Sequence, residues 1–196
     1  MCYCIPMQCV VHSTAAANFQ QLATEWHGEQ IRPPFNFLFY IEGEHLTFSI
    51  NRQAPAIIHP QAKPGLFQEN LWRYDVTEFF IATADARQYL EFNLCPNGAW
   101  WAEGFTDPRV KLAGFDARKL HPVISTNFTA DAWQASARLP LNFLQEWGWQ
   151  IHSCRLATAA VICRNGLYTY LTTCEQRAGK PDFHHPRDWE MVQTPQ

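Results

Sequence analysis

Trp72 and Glu78, six positions apart, offer an apolar ring face and a hydrogen-bond acceptor. A sugar ring has apolar C–H faces that stack on indole, and a hydroxyl rim that pairs with carboxylates, amides and guanidinium groups. Trp100, Trp101 and Trp189 are further tryptophans near strand ends or polar segments, and Arg109 is a candidate guanidinium donor. Tyr89, Glu91 and Asn93 fall on one face of an alternating run, where they could line an open polar surface. Each has a plainer competing role: large aromatics are usually buried for packing alone, and polar residues on an outer sheet face are often only solvated. The candidate ligand-binding set is Trp72, Glu78, Glu91, Asn93, Trp100, Arg109 and Trp189.

Other chemistry finds little support. Glu78 with Glu91 could in principle form the carboxylate pair of a glycoside hydrolase. On adjacent strands such residues more often form hydrogen bonds or ion pairs. The sequence has no Gly-x-Ser-x-Gly elbow, and its nine glycines are scattered singly, so no loop cradles a phosphate. Cys2-x-Cys4 lacks a second Cys or His pair at zinc-site spacing. His184 and His185, adjacent on an extended chain, point opposite ways. No catalytic residue and no metal ligand is assigned.

Composition narrows the classes further. The net charge is −3 with no run of Lys or Arg, which removes the electrostatic footprint of a nucleic-acid binder. Apolar runs are too short to span a membrane. Residues Met1 to Pro6 carry no basic n-region or cleavage site, so the seven cysteines are expected as free thiols in a cytoplasmic protein. Eight Trp, fourteen Phe and six Tyr are enough to fill a core and leave some for a surface. At 196 residues, one domain over 1–196 is expected.

The elements that must position these residues are strands. Residues 35–41 and 45–50 flank Glu42-Gly43-Glu44 and predict a hairpin. Residues 75–81 and 88–94 predict two strands, the second placing Leu90, Phe92 and Leu94 on one face. Asn97-Gly98 predicts a type I′ turn into the strand 99–103. Trp133, Ala135, Ala137 and Leu139 alternate again, and 151–163 and 167–173 flank Asn165-Gly166. Phe19, Leu22 and Trp26 lie on one helical face and predict a short helix over 15–27, with another turn or two over 141–147. The expected fold is all-β: a two-sheet antiparallel β-sandwich, jelly-roll-like and of immunoglobulin-like dimensions, with one or two short helices.

The run Leu71-Trp72-Arg73-Tyr74-Asp75-Val76-Thr77-Glu78-Phe79-Phe80 resembles the signature of family 9 carbohydrate-binding modules and related DOMON-like domains. The resemblance continues through Tyr89 to Asn93, Pro96 to Trp100 and Lys180 to Pro186. It implies a groove on a concave sheet, where two Trp rings sandwich a terminal sugar with help from a Glu and an Arg. Trp72 and Glu78 match the first Trp and the Glu, and Trp189 matches the closing aromatic. Glu91 stands where the Arg is expected. The resemblance thus implies a non-catalytic module for a small sugar or glycan, with no cofactor. Some DOMON domains instead bind haem through Met and His or Lys, so a haem or redox module is one alternative. A groove for a peptide or protein partner is another.

Overall fold

The computed structural model describes residues 7–174 and 179–193, so Cys2 and Cys4 lie outside the described residues. The described chain forms two sheets. The first contains β1 (Val11–His12), β2 (Gln20–Thr24), β3 (Gln30–Glu42), β4 (His45–Arg52), β9 (Val123–Phe128) and β10 (Trp133–Pro140). The second contains β5 (Val76–Ala82), β6 (Tyr89–Leu94), β7 (Trp100–Asp107), β8 (Val110–Lys111), β11 (Arg155–Arg164) and β12 (Leu167–Thr172). The order in the first is β1-β3-β4-β10-β9, with β2 also on β3, and in the second β12-β11-β5-β6-β7-β8. Pairing is antiparallel throughout, except that the two-residue β1 runs parallel to β3. The chain passes from the first sheet to the second, returns once for β9 and β10, and ends in the second with β11 and β12, as a sandwich allows.

Alternation builds the core. Phe37, Phe39, Phe48 and Ile50 of one sheet meet Phe79, Ile81, Leu90 and Phe92 of the other, all fully buried. Phe39 stacks on Phe48 at 4.8 Å and Phe79 on Phe92 at 5.2 Å, while Phe48 meets Phe79 across the gap at 5.2 Å. A second apolar cluster lies on the far side of the second sheet, where Trp26, Phe80, Tyr89, Phe105, Phe183 and Trp189 pack together. That face is therefore covered, and all six residues of β6 are buried. The open polar surface expected for Tyr89, Glu91 and Asn93 is instead an interior beneath the segment 179–193.

Two local expectations change. The helix over 15–27 is replaced by turns and β2, because Leu22 is buried opposite Phe35 of β3 while Trp26 turns into the second cluster. Three apolar residues at helical spacing are weaker than a neighbouring strand with free ladder groups. The short helix at the other site is present as α1, Leu141–Glu146. Pro96-Asn97-Gly98 forms a three-residue connection, closed by Gly98 N–H donating to the Cys95 carbonyl at 2.8 Å, with only Gly98 (φ 87) in the left-handed region. Pro96 locks its own φ negative and favours a type I turn followed by a glycine bulge over a type I′ turn. The type I′ pattern occurs at Asn165 (φ 52) and Gly166 (φ 77), between the paired residues Arg164 and Leu167.

Candidate functional site

Glu78 and Glu91 lie on the outer face of the second sheet, on the neighbouring strands β5 and β6. Glu78 is directly opposite Asn93, and Glu91 is opposite Phe80, so the carboxyls are diagonal neighbours. Both line one cavity of about 390 Å³, together with Trp72, Trp101, Tyr170, Arg109, Phe105, Phe183 and His184. Glu78 is 4% exposed and Glu91 6%, so both floor residues are largely withdrawn from bulk solvent.

The walls are aromatic. The 3₁₀ turn Leu71–Arg73 presents Trp72, with Leu71 fully buried as its anchor and Asn70 (φ 64) providing the left-handed entry. Asp75 fixes the turn to β11, accepting from the Cys163 amide at 2.7 Å and from Arg164 Nη1 at 2.7 and 2.8 Å. Trp72 remains 39% exposed at the rim, edge-on to Trp101 at 5.3 Å. Tyr170 of β12 meets Phe183 at 6.1 Å, also edge-on.

The remaining walls come from residues 181–189. Asp182 takes a two-pronged bond from Arg109, at 2.8 and 3.2 Å, and accepts the His184 amide at 3.1 Å. Trp189 Nε1 donates to the Phe183 carbonyl at 3.1 Å, and Arg155 donates to the Trp189 carbonyl at 2.8 Å. His184 is thereby suspended over β6. Tyr89 Oη accepts the Arg109 amide at 3.3 Å and meets His184 Nδ1 at 2.7 Å. Either atom of that pair can donate, according to the imidazole tautomer, and the other ring nitrogen, Nε2, lies 3.6 Å from Glu91 Oε2.

Burial sets the charges. Burial, and then the negative charge of Glu91, raises the Glu78 carboxyl well above the usual range. Burial pushes Glu91 up to about 7, opposed by the hydrogen bond from Asn93 and the positive charge of Arg109 and reinforced by Glu103. Burial also pushes His184 down to about 4, so its ring is neutral at neutral pH. For Asp182 burial works upward, but the Arg109 bond and the His184 amide hold it below the usual carboxylate range. The arrangement can bind and orient a small polar molecule between ring faces and a carboxyl floor.

Four of the sequence-selected residues, Trp72, Glu78, Glu91 and Arg109, line this cavity. Asn93 lies beneath it, donating Nδ2–H to Glu91 Oε1 at 2.7 Å. Trp100 faces the opposite side of the sheet, where it stacks parallel to Phe92 in the inter-sheet core. Trp189 is 1% exposed and packs on Phe80 and Tyr89 in the second cluster rather than closing the cavity. The aromatic positions it was expected to fill are taken by Phe183 and Tyr170. Trp101, Phe105, Tyr170 and Phe183 were not among the selected residues. Trp101 was within reach of sequence reasoning, because pairing Leu94 with Trp100 turns the next residue outward.

No family model and no curated protein matches the sequence. Solved structures do match in fold. One is a Bacteroides uniformis ATCC 8492 protein for which carbohydrate binding has been suggested: TM-score 0.71, 13% identity, covering 97% of this chain and 99% of that one. Another is a family 9 carbohydrate-binding module from Caldicellulosiruptor kristjanssonii in complex with cellotriose: TM-score 0.64, 9% identity, covering 95% of this chain and 93% of that one. The same module in complex with glucose gives TM-score 0.64 and 9% identity, covering 96% and 95%. At these identities the likeness is one of fold.

Proposed function

We propose that this chain is a carbohydrate-binding module without catalytic activity, whose cavity takes one saccharide unit, free or at a chain end. The observation that carries the reading is the pairing of a half-exposed Trp72 at the rim with the buried carboxyls of Glu78 and Glu91 on the floor. An indole face takes the C–H side of a sugar ring, and the carboxyls take its hydroxyls. The cavity, about 390 Å³, falls within the range of about 300–1,000 Å³ typical of small-molecule sites. The fold shared with modules solved in complex with cellotriose and glucose supports the same reading. The function requires no cofactor, and a net charge of −3 without a basic run favours a neutral or cationic ligand over nucleic acid.

A glycan array followed by titration calorimetry tests this. Binding to at least one saccharide, weakened about tenfold or more by Trp72→Ala, is the expected result, since one lost stacking contact is worth about 1–2 kcal/mol. A flat response to every mono- and oligosaccharide overturns it.

A further inference from the structure

The cavity floor is a pair of neighbouring carboxyls with no free cation in its lining among the described residues. Arg109, the cation in its lining, and Lys111 are already engaged. Arg109 is held by Asp182 through two hydrogen bonds, and Lys111 is paired with Glu103 at 2.5 Å. The His184 ring is neutral, with Nδ1 occupied by Tyr89. That leaves Glu78 and Glu91. Glu91 receives one hydrogen bond, from Asn93, and lies 3.6 Å from His184 Nε2. The Glu78 side chain, 4% exposed and facing the cavity, has no hydrogen bond or ion pair among the described residues. One residue deeper, Asn93 Oδ1 is buried with no hydrogen-bond partner among the described residues, directly across the ladder from Glu78.

Above this floor are ring faces. Trp72 and Trp101 form one edge-to-face corner, with planes at 65°, and Tyr170 and Phe183 another at 63°. Ring faces attract cations, most strongly where water is excluded. An ammonium group carries three donors, no acceptor and a positive charge, which suits a floor of two neighbouring carboxyls under aromatic walls.

We infer that the cavity takes a cationic sugar, a saccharide unit whose protonated amino group sits between the carboxyls of Glu78 and Glu91 while its ring lies on Trp72. This rests on the sugar-binding reading above and names the ligand class. A neutral sugar offers hydroxyls that both donate and accept, and leaves the carboxyls protonated. An aminosugar brings a cation beside which the carboxyls can ionise. The carboxyls hold protons while no cation is beside them, because burial disfavours their charged forms. A bound ammonium reverses that preference, so binding near pH 7 expels protons into the buffer. Of the other groups facing the pair, Glu103 stays with Lys111, Asp182 stays with Arg109, and Tyr89 and His184 remain neutral, so the released protons come from Glu78 and Glu91.

Calorimetry at pH 7 with D-glucosamine, D-glucose, N-acetyl-D-glucosamine and tetramethylammonium tests it. D-glucosamine is expected to bind about tenfold tighter than either neutral sugar, the gain of one desolvated cation–π and carboxylate contact. Repeating the titration in buffers of different ionisation enthalpy should show proton release for D-glucosamine alone among the sugars. In Glu78→Gln/Glu91→Gln the ratio between D-glucosamine and D-glucose should fall close to one; the proton release, read on the unaltered protein, does not depend on that variant folding. If D-glucose binds as tightly as D-glucosamine, the amino preference is overturned and sugar binding stands. If no sugar binds, whether or not tetramethylammonium does, both readings are overturned.

Discussion

Glu78 and Glu91 reach the same cavity from adjacent antiparallel strands, offset diagonally by one two-residue step of the ladder. Two acids so placed and largely withdrawn from bulk solvent cannot both ionise cheaply, because each loses hydration and the second faces the charge of the first. The floor of the site therefore stores protons, and its stability and ligand preference follow from that.

Folding stability should carry this signature. The raised Glu91 contributes stability that is complete below 4.5 and is lost as pH rises through about 7, and the raised Glu78 acts in the same direction. His184 acts in the opposite sense: lowered from 6.5 to about 4, its contribution is present above 6.5 and lost as pH falls through about 4. The two trends oppose each other between 4.5 and 6.5, and the carboxyl trend stands alone above 6.5. Glu91→Gln keeps an acceptor for Asn93 and removes the charge. It should be more stable than the parent at pH 8 by on the order of 2–3 kcal/mol, and close to it at pH 5, in guanidinium denaturation at the two pH values.

Trp72→Ala should separate binding from folding. The ring is 39% exposed and its main partner is the edge of Trp101, so its loss leaves the core intact. The midpoint of thermal unfolding should move by no more than about 4 °C, within the effect of about 1 kcal/mol or less. Sugar affinity should drop sharply in the same preparation.

Trp189→Ala should do the reverse. The indole is 1% exposed against Phe80 and Tyr89, and its Nε1–H holds the Phe183 carbonyl. Truncation leaves a large void and takes one of two hydrogen bonds from the Phe183 carbonyl, which keeps the His185 amide, with an expected loss of about 3–5 kcal/mol in denaturant unfolding.

Arg109→Ala should loosen one segment without unfolding the protein. The Arg109–Asp182 pair is partly exposed, so its global contribution is small, within about 1 kcal/mol. Locally it holds the residue that accepts the His184 amide. Amide exchange should quicken around 182–185 while β5 and β6 keep their protection, as read by mass spectrometry or NMR.

Thiol labelling offers a check on packing. Burial pushes Cys9 and Cys95 up to about 11, and Cys154 and Cys174 up to about 12, while Cys163 is only partly buried. Among these five, native alkylation near pH 8 should mark Cys163 first, and peptide mapping reads the order.

The sandwich was legible because its strands alternate strictly: Leu90, Phe92 and Leu94, or Ala135, Ala137 and Leu139, admit one inward face each. The same parity places Glu78 and Glu91 outward, on the shared face of β5 and β6. What parity cannot show is a roof. The segment carrying Phe183, His184 and Trp189 contains no strand pairing with the face it covers, so no period marks it, and the residues beneath it look like a solvated surface. Trp189 was misplaced for the same reason: a tryptophan in an aperiodic stretch signals contact with something, but not which side of the segment makes that contact. Trp26 was drawn into a helix because its real partner, Phe183, is more than one hundred and fifty residues away in sequence.

The roof also separates two kinds of change. The sheets supply the acidic floor and Trp101, whereas Phe183, His184 and the Asp182 clasp hang from a short stretch tied down at Trp189. Recognition can therefore be rewritten by exchanging Pro181, Asp182 and His184 between fixed aromatic pegs at 183 and 189, leaving both β-layers untouched. A library confined to those three positions would sample new ligands on an unchanged chassis.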